Sequence, residues 1–371
     1  MIHTKKDFVF TSESVCAGHP DKICDQISDA IVDEVLKQDP YGRVAVETLA
    51  TFDRVIIAGE VSAHAKVNYK KVAHKQIKRL GYTNASFNFS YQSPINVFVH
   101  TQSPEISKGV DKKGAGDQGL MFGFACRETE ALMPLPITIA HRLAYEIDQA
   151  REKKILPYLY PDGKTQVTLE YKGGKPYRIQ KIVCAVPHKK SVHREDVRDA
   201  ILKKIIKPSL EKYGLTIDKR HFIFNGTGVW HSGGPAADSG LTGRKIVVDT
   251  YGGYARVGGG CFSGKDPTKV DRSGSYAARF IAKNIVAKKL ADKAEVSLSY
   301  YIGAKKPIMF ELETFGTSKT KEKTIRDFAK KILDTSVEGI LKGLNLLQPI
   351  YLPTAAYGHF GRDSFPWETI V

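Results

Sequence analysis

Cysteine is scarce in this chain and carries no pattern: five residues in 371, at Cys16, Cys24, Cys126, Cys184 and Cys261, with no C-x-x-C among them. An odd, scattered set supports neither a disulfide framework nor a thiolate zinc centre. Long apolar runs are missing too, so no segment has the length of a membrane span. The first residues, MIHTKKDFVFTSES, contain no signal-peptide stretch. A cytoplasmic protein with no membrane partner is expected. Ser12, Ser14 and Ser263 lack the G-x-S-x-G frame of a nucleophile elbow, and no cysteine has a base placed beside it in sequence. Nothing here requires a covalent intermediate.

What the chain has in excess is positive charge, 56 Lys and Arg against 40 Asp and Glu. A basic balance invites a nucleic-acid partner. The lysines are dispersed, however, as in Lys5-Lys6, Lys70-Lys71, Lys189-Lys190, Lys203-Lys204 and Lys288-Lys289. Solvated helix faces and a small polyanionic substrate account for that dispersal, and no nucleic-acid partner is expected. His188 and His193 fall in such a basic turn and read as solvated surface.

A chain of this length exceeds one small core, so two or three domains are expected. Ile23, Ile27, Ile31 and Val35 recur at four-residue steps and predict an amphipathic helix over 22–37. Strands follow at 44–50 and 55–61 across the turn Phe52-Asp53-Arg54, then a helix at 69–80 closed by Gly81 and Tyr82. The order returns: a helix at 137–152, strands at 165–171 and 178–186 around Gly173-Gly174, and a helix at 194–213. It returns again with a helix at 273–289, strands at 295–302 and 307–314, and a helix at 322–342 ended by Gly343-Leu344. Three such copies predict an α+β fold of pseudo-threefold-related units, each a mostly antiparallel sheet with helices on one face. The units are placed at 1–101, 113–231 and 232–371, with a mobile lid at 102–112. No low-complexity linker separates them, and a second subunit would cover sheet faces that helices leave open.

Four stretches fit neither period and are rich in Gly, charge and hydroxyls: 11–22, 101–119, 225–245 and 249–272. Such loops cost conformational entropy and suggest a site. Gly259-x-x-x-x-Gly264-Lys265 is one residue short of a P-loop, because Asp266 stands where Ser or Thr would ligate magnesium. A glycine loop bringing Lys265 to phosphate by another geometry is the remaining reading. His19-Pro20-Asp21-Lys22 joins imidazole, carboxylate and ammonium at a helix start. Asp21 reads either as a helix cap or as a magnesium ligand with His19 and Lys22 facing phosphate. Asp271 sits at the equivalent start in the third copy. Two carboxylates plus phosphate oxygens suit magnesium, which keeps several waters.

These loops resemble the S-adenosylmethionine synthetase family. The resemblance rests on Ser12-Glu13-Ser14 with Gly18-His19-Pro20-Asp21-Lys22, on Gly114-Ala115-Gly116-Asp117-Gln118-Gly119, on Gly240-Leu241-Thr242-Gly243-Arg244-Lys245, and on the run Gly258 to Asp266. It implies an enzyme joining methionine to ATP by attack of sulfur on C5′, followed by hydrolysis of the tripolyphosphate. It implies catalytic roles for His19, Lys22, Lys265 and Arg244. His19, Asp162, Lys164, Trp230, Asp238, Arg244, Lys245, Cys261 and Lys265 would bind ATP. Glu60, Gln102, Ile106, Asp117, Asp238 and Lys269 would bind methionine. Asp21 and Asp271 would hold two magnesium ions and Glu47 a potassium ion. A dimer, or a dimer of dimers, with the site between subunits is implied as well. The sequence departs from the family pattern at Val229-Trp230-His231-Ser232, at Gly226 where proline is usual, in a shorter lid, and in a C-terminus that stops soon after Trp367.

Overall fold

A computed structural model describes residues 6–101 and 114–371; the Gln102 and Ile106 expectations, and the lid as a whole, lie outside the described residues. The strands in chain order are β1 (Phe8–Val15), β2 (Arg43–Thr51), β3 (Arg54–Ser62), β4 (Ile95–His100), β5 (Gly119–Cys126) and β6 (Lys164–Lys172). They continue as β7 (Lys175–Ala185), β8 (Phe222–Phe224), β9 (Gly240–Leu241), β10 (Lys293–Tyr300) and β11 (Met309–Glu313). They form three sheets of order β4-β3-β2-β9, β1-β6-β7-β8 and β11-β10-β5. The β3–β4 and β7–β8 pairs are parallel and the other pairs antiparallel. The α+β reading of three units therefore holds.

Each sheet packs its inner face on one long helix: Pro20–Leu36 under β2 and β9, Leu135–Glu152 under β1 and β6, and Val270–Ala287 under β5 and β10. The helices start where local chemistry allows it. Pro134 precedes and Pro136 lies inside the first turn of Leu135–Glu152, where proline's missing N–H costs nothing. The helix Tyr69–Arg79 ends as predicted: Gly81 takes φ +98°, and the Tyr82 N–H returns to the Ile77 carbonyl at 3.3 Å. Gly173 and Gly174 both take positive φ, so β6 and β7 are joined by a two-residue turn of the kind strand twist favours.

Some expectations are corrected. The helix predicted over 322–342 is two, Glu322–Ile332 and Val337–Gly343, because Leu333 is extended and Ser336 caps the second through Gly339 N–H at 3.0 Å. The helix beginning at Arg194 widens into a π turn at Leu202–Ile206 just before Pro208, where proline supplies no N–H for a regular turn. Residues 11–15, read as loop, are the end of β1, and their hydroxyls face inward: Ser12 donates to the Gly252 carbonyl at 2.9 Å and Ser14 bonds His141 Nδ1 at 2.8 Å. His188 is fully buried instead of solvated.

The sheets exchange strands. β1 precedes the first long helix yet pairs with β6; β5 leads into the second unit yet pairs with β10; β9 belongs to the third stretch yet pairs with β2. Edge strands completing a neighbouring sheet explain why no linker is needed between units. Among the described residues no helix is long and apolar enough to cross a membrane.

Candidate active site

The helices Pro20–Leu36 and Val270–Ala287 are buried on every side, with only Glu34 and Ala287 outside the buried set. On the first, the stripe Ile23, Ile27, Ile31 and Val35 packs as predicted. The opposite face carries Asp21, Asp25, Asp29 and Asp33, again at four-residue steps and again buried. Buried carboxylates need partners, and these take them from the glycine-rich loops. Asp21 accepts from Leu241 N–H and Asp25 from Gly243 N–H, each at 2.9 Å. Asp29 accepts from Gly264 N–H at 2.9 Å and Ser263 Oγ at 3.0 Å, and pairs with Arg272 at 2.7 and 2.8 Å. Asp33 accepts from Tyr351 and Leu352 N–H, both at 2.9 Å. One helix face thus pins loops 240–245, 263–265 and 351–352. Sequence reading missed Asp25, Asp29 and Asp33. Their spacing was the available signal, but acidic residues at helical period ordinarily mark a solvated face.

Two charged clusters result. In the first, His19 is the residue that caps Pro20–Leu36: its Nδ1 accepts the Asp21 N–H at 3.2 Å. That leaves the Asp21 carboxylate free of capping. It pairs with Lys245 Nζ and lies 3.8 Å from Arg244 Nε. Burial works to raise the Asp21 pKa, but Lys245 and the Leu241 N–H prevail and the net shift is downward. Burial, then Lys245, takes the His19 pKa down to about 3. The ring is neutral at neutral pH, and because Nδ1 is an acceptor its proton sits on Nε2. Asp162 is buried and accepts from Gly163 N–H at 2.7 Å and Gly234 N–H at 2.8 Å, with burial raising its pKa to about 6. Lys164 and Asp238 both act electrostatically on it. Half-buried Trp230 donates to the Ser232 carbonyl at 2.6 Å, on the strap that Asp162 holds at Gly234. Lys22 does not reach the surface of this cluster: it is fully buried between Asp25, at 3.0 Å, and Asp249. These carboxylates outweigh burial and hold the ammonium charged.

The second cluster gathers at the start of Val270–Ala287. Lys265 Nζ lies 2.6 Å from the Asp271 carboxylate. Burial raises the Asp271 pKa, Lys265 opposes it, and neighbouring Asp117 adds to it. Gly260 explains the glycine run: a Cβ there would stand 2.0 Å from the Asp271 carboxyl carbon. Beside it a cavity of about 320 Å³ carries Glu47, Glu60, Cys261 and Lys265 on its walls. Glu60 also meets His100 at 3.3 Å. Lys269 is tied back to Asp266, which further accepts Val44 N–H at 2.7 Å and Thr268 Oγ at 2.6 Å. Asp266 is therefore a loop clamp, and no helix follows Gly264-Lys265 until Val270; this is not a P-loop.

The two clusters touch where Gly243 (φ +82°) lies against Cys261, leaving 2.5 Å for an added Cβ. Among the described residues no three His, Cys, Asp or Glu side chains converge as a ready metal cage. The arrangement offers one hard carboxylate and one ammonium at each of two helix N-termini, where backbone N–H groups favour anions.

Residues 7–104, 112–230 and 232–369 match the family models for the N-terminal, central and C-terminal domains of S-adenosylmethionine synthetase. The chain is also similar to the S-adenosylmethionine synthase of Treponema denticola, 47% identical over 369 residues that cover 97% of this chain and 95% of that protein.

Proposed function

The chain belongs to the S-adenosylmethionine synthetase family and is a methionine adenosyltransferase, and on that premise we propose that its two clusters divide the substrates between them. The first takes ATP: Lys245, Arg244 and Lys164 grip the phosphates, Asp162 and Asp238 border the nucleoside, and Trp230 stacks on adenine. The second takes methionine, with Glu60, Asp117 and Lys269 at its polar ends and Lys265 reaching the phosphate tail beside Cys261. Gln102 and Ile106 would join methionine from the lid. The observation that carries this division is the repeated pair, Asp21–Lys245 and Asp271–Lys265, each in the first turn of a buried helix.

The chemistry asks for little proton traffic. A thioether sulfur is a nucleophile without a base, and the difficulty lies in expelling a tail of several negative charges. Enzymatic barriers fall by about 8–23 kcal/mol, while one charge contact at 4 Å supplies roughly 4 kcal/mol at an effective dielectric of 20. No single lysine is enough, so Lys245, Arg244 and Lys265 act together with proximity. His19 is neutral, so it serves as an Nε2–H hydrogen-bond donor to the leaving chain, not as an acid. Lys22, behind it, keeps Asp25 and Asp249 in place and thereby positions the loop. Asp117 and Asp238 offset the sulfonium charge as it forms.

Magnesium fits the donor set, because Asp21 and Asp271 each offer a single hard carboxylate whose present partner is an ammonium group, and phosphate oxygens and water would complete an octahedron. Bound there, it would neutralise charge on the phosphate tail. Glu47, on the cavity wall, would hold potassium. The same cations would serve hydrolysis of tripolyphosphate to phosphate and pyrophosphate.

Among the described residues the clusters of one chain meet at Gly243 and Cys261, and each sheet leaves an apolar side chain on its uncovered face, such as Val9, Phe98 and Leu120. Exposed apolar surface of this kind favours a second copy. A dimer, alone or doubled, would complete each site with one cluster from each subunit.

Variants test the division. Glu60→Gln should raise the methionine KM by about tenfold and leave that of ATP within twofold, while Lys245→Met should lower kcat by about 10²–10³. A Glu60→Gln enzyme with altered ATP KM and normal methionine KM would refute it.

A further inference from the structure

A larger cavity lies away from both clusters, behind the loop that carries His19. It measures about 780 Å³, within the range of small-molecule sites. All three units contribute to it: Arg79 ends the outer helix of the first, Tyr213 follows that of the second, and 352–362 belongs to the third. Its walls are aromatic and apolar on one side, with Tyr145 and Tyr357 edge-on at 5.4 Å and Met133, Leu352 and Phe360 nearby.

Three guanidinium groups face this space, from Arg79, Arg142 and Arg362, against one carboxylate, Glu152. Arg142 pairs with Glu146, and Glu152 with Arg151 at 3.3 Å. Among the described residues Arg79 and Arg362 are in no ion pair. Arg79 donates to the side-chain oxygens of Gln26 at 2.6 Å and Gln76 at 2.9 Å. Arg362 donates through Nη2 to the carbonyls of Pro353, Ala356 and Gly358, and its Nε is buried without a partner. Burial lowers its pKa to about 10, against the smaller opposing effects of Tyr357, Tyr276 and Glu368. His141, 9% exposed, is on the wall as well, with Nε2 buried and unbonded.

The wall is joined to the active-site loop. Gln26, which receives Arg79, donates to the carbonyls of Ala17 and Lys22 at 2.7 Å each. Tyr357 donates to Asp148 at 2.8 Å, and the same carboxylate oxygen accepts the Ala17 N–H at 2.8 Å. Ala17, two positions before His19, is thus held on one side by Gln26, which lines the cavity, and on the other by Asp148, to which Tyr357 donates from the cavity wall.

We propose that this cavity is a regulatory site for a small organic anion carrying an aromatic ring, whose occupancy acts on the loop bearing His19. Arg79 and Arg362 receive the charge, and Tyr145, Tyr357 and Phe360 receive the ring. The regulatory part rests on the role given to His19 above.

The test uses full-length protein saturated with methionine and a non-hydrolysable ATP analogue, titrated calorimetrically with 1-naphthoate and with its neutral counterpart 1-naphthalenemethanol. Naphthoate should bind once per chain, with the alcohol and the Arg79→Gln variant each weaker by about tenfold or more. Gln149→Trp, which fills the cavity from the helix Leu135–Glu152, should abolish binding. In turnover assays at subsaturating ATP, naphthoate should change the rate at least about twofold in the parent enzyme and not in Gln149→Trp. No saturable binding, equal binding of the alcohol, indifference to Arg79, displacement by substrates, or binding without any change in turnover would each overturn the proposal. Turnover without naphthoate is read first, so a failure of the active-site assignment shows there and a failure of this one shows in the titration.

Discussion

His19 shows how far one backbone hydrogen bond reaches. By accepting the Asp21 N–H it starts the helix, fixes its own tautomer and frees Asp21 for a cation. Burial and Lys245 hold its pKa near 3, so proton uptake lies well below the working range. A base whose pKa is depressed stays neutral at every pH above that value. The kcat profile between about pH 5 and pH 8 should therefore carry no inflection from His19. His19→Asn should lower kcat by about 10²-fold and leave the shape of that profile unchanged. An inflection near 6.5 present in the parent and lost in the variant would contradict the donor role.

Among the elements, the helix Pro20–Leu36 bears the most unusual arrangement, four carboxylates inside the molecule at helical period. Asp29 is its centre, pairing with Arg272 from the third unit while receiving Ser263 and the Gly264 N–H. Removing one member of a fully buried ion pair strands the other charge, at a cost of about 3–5 kcal/mol. Asp29→Leu should lose about that much in chemical denaturation, and the double change Asp29→Leu with Arg272→Met distinctly less. Equal losses from single and double variants would show that packing, not the stranded charge, sets the cost.

At the scale of the whole molecule, strand exchange among the three sheets makes the units inseparable, and the proposed division of the substrates between two clusters gives a second chain a part in the chemistry. Mixing Asp21→Asn protein with Lys265→Ala protein should then restore activity, since each heterodimer contains one unmutated site. Random reassortment of a dimer yields about one quarter of parental activity. Recovery of none, with hetero-oligomers verified by native mass spectrometry, would place each site within one chain.

The three helix–hairpin units, their apolar stripes and most turns were legible in the chain, because periodicity, glycine at left-handed positions and proline at helix starts act over a few residues. So were the loops that bear the charged clusters, since runs such as Gly258-Gly259-Gly260 have no place inside a regular element. Tertiary structure alone decided which neighbour completes each sheet, that Lys22 and His188 lie inside, and that Asp25, Asp29 and Asp33 are buried clamps. An acidic helix face reads as solvated until something distant in the chain supplies its partners, and those partners, Gly243, Gly264, Arg272 and Leu352, stand more than two hundred positions away. Local patterns are written in the chain; the destination of a charge depends on contacts that only the folded molecule brings together.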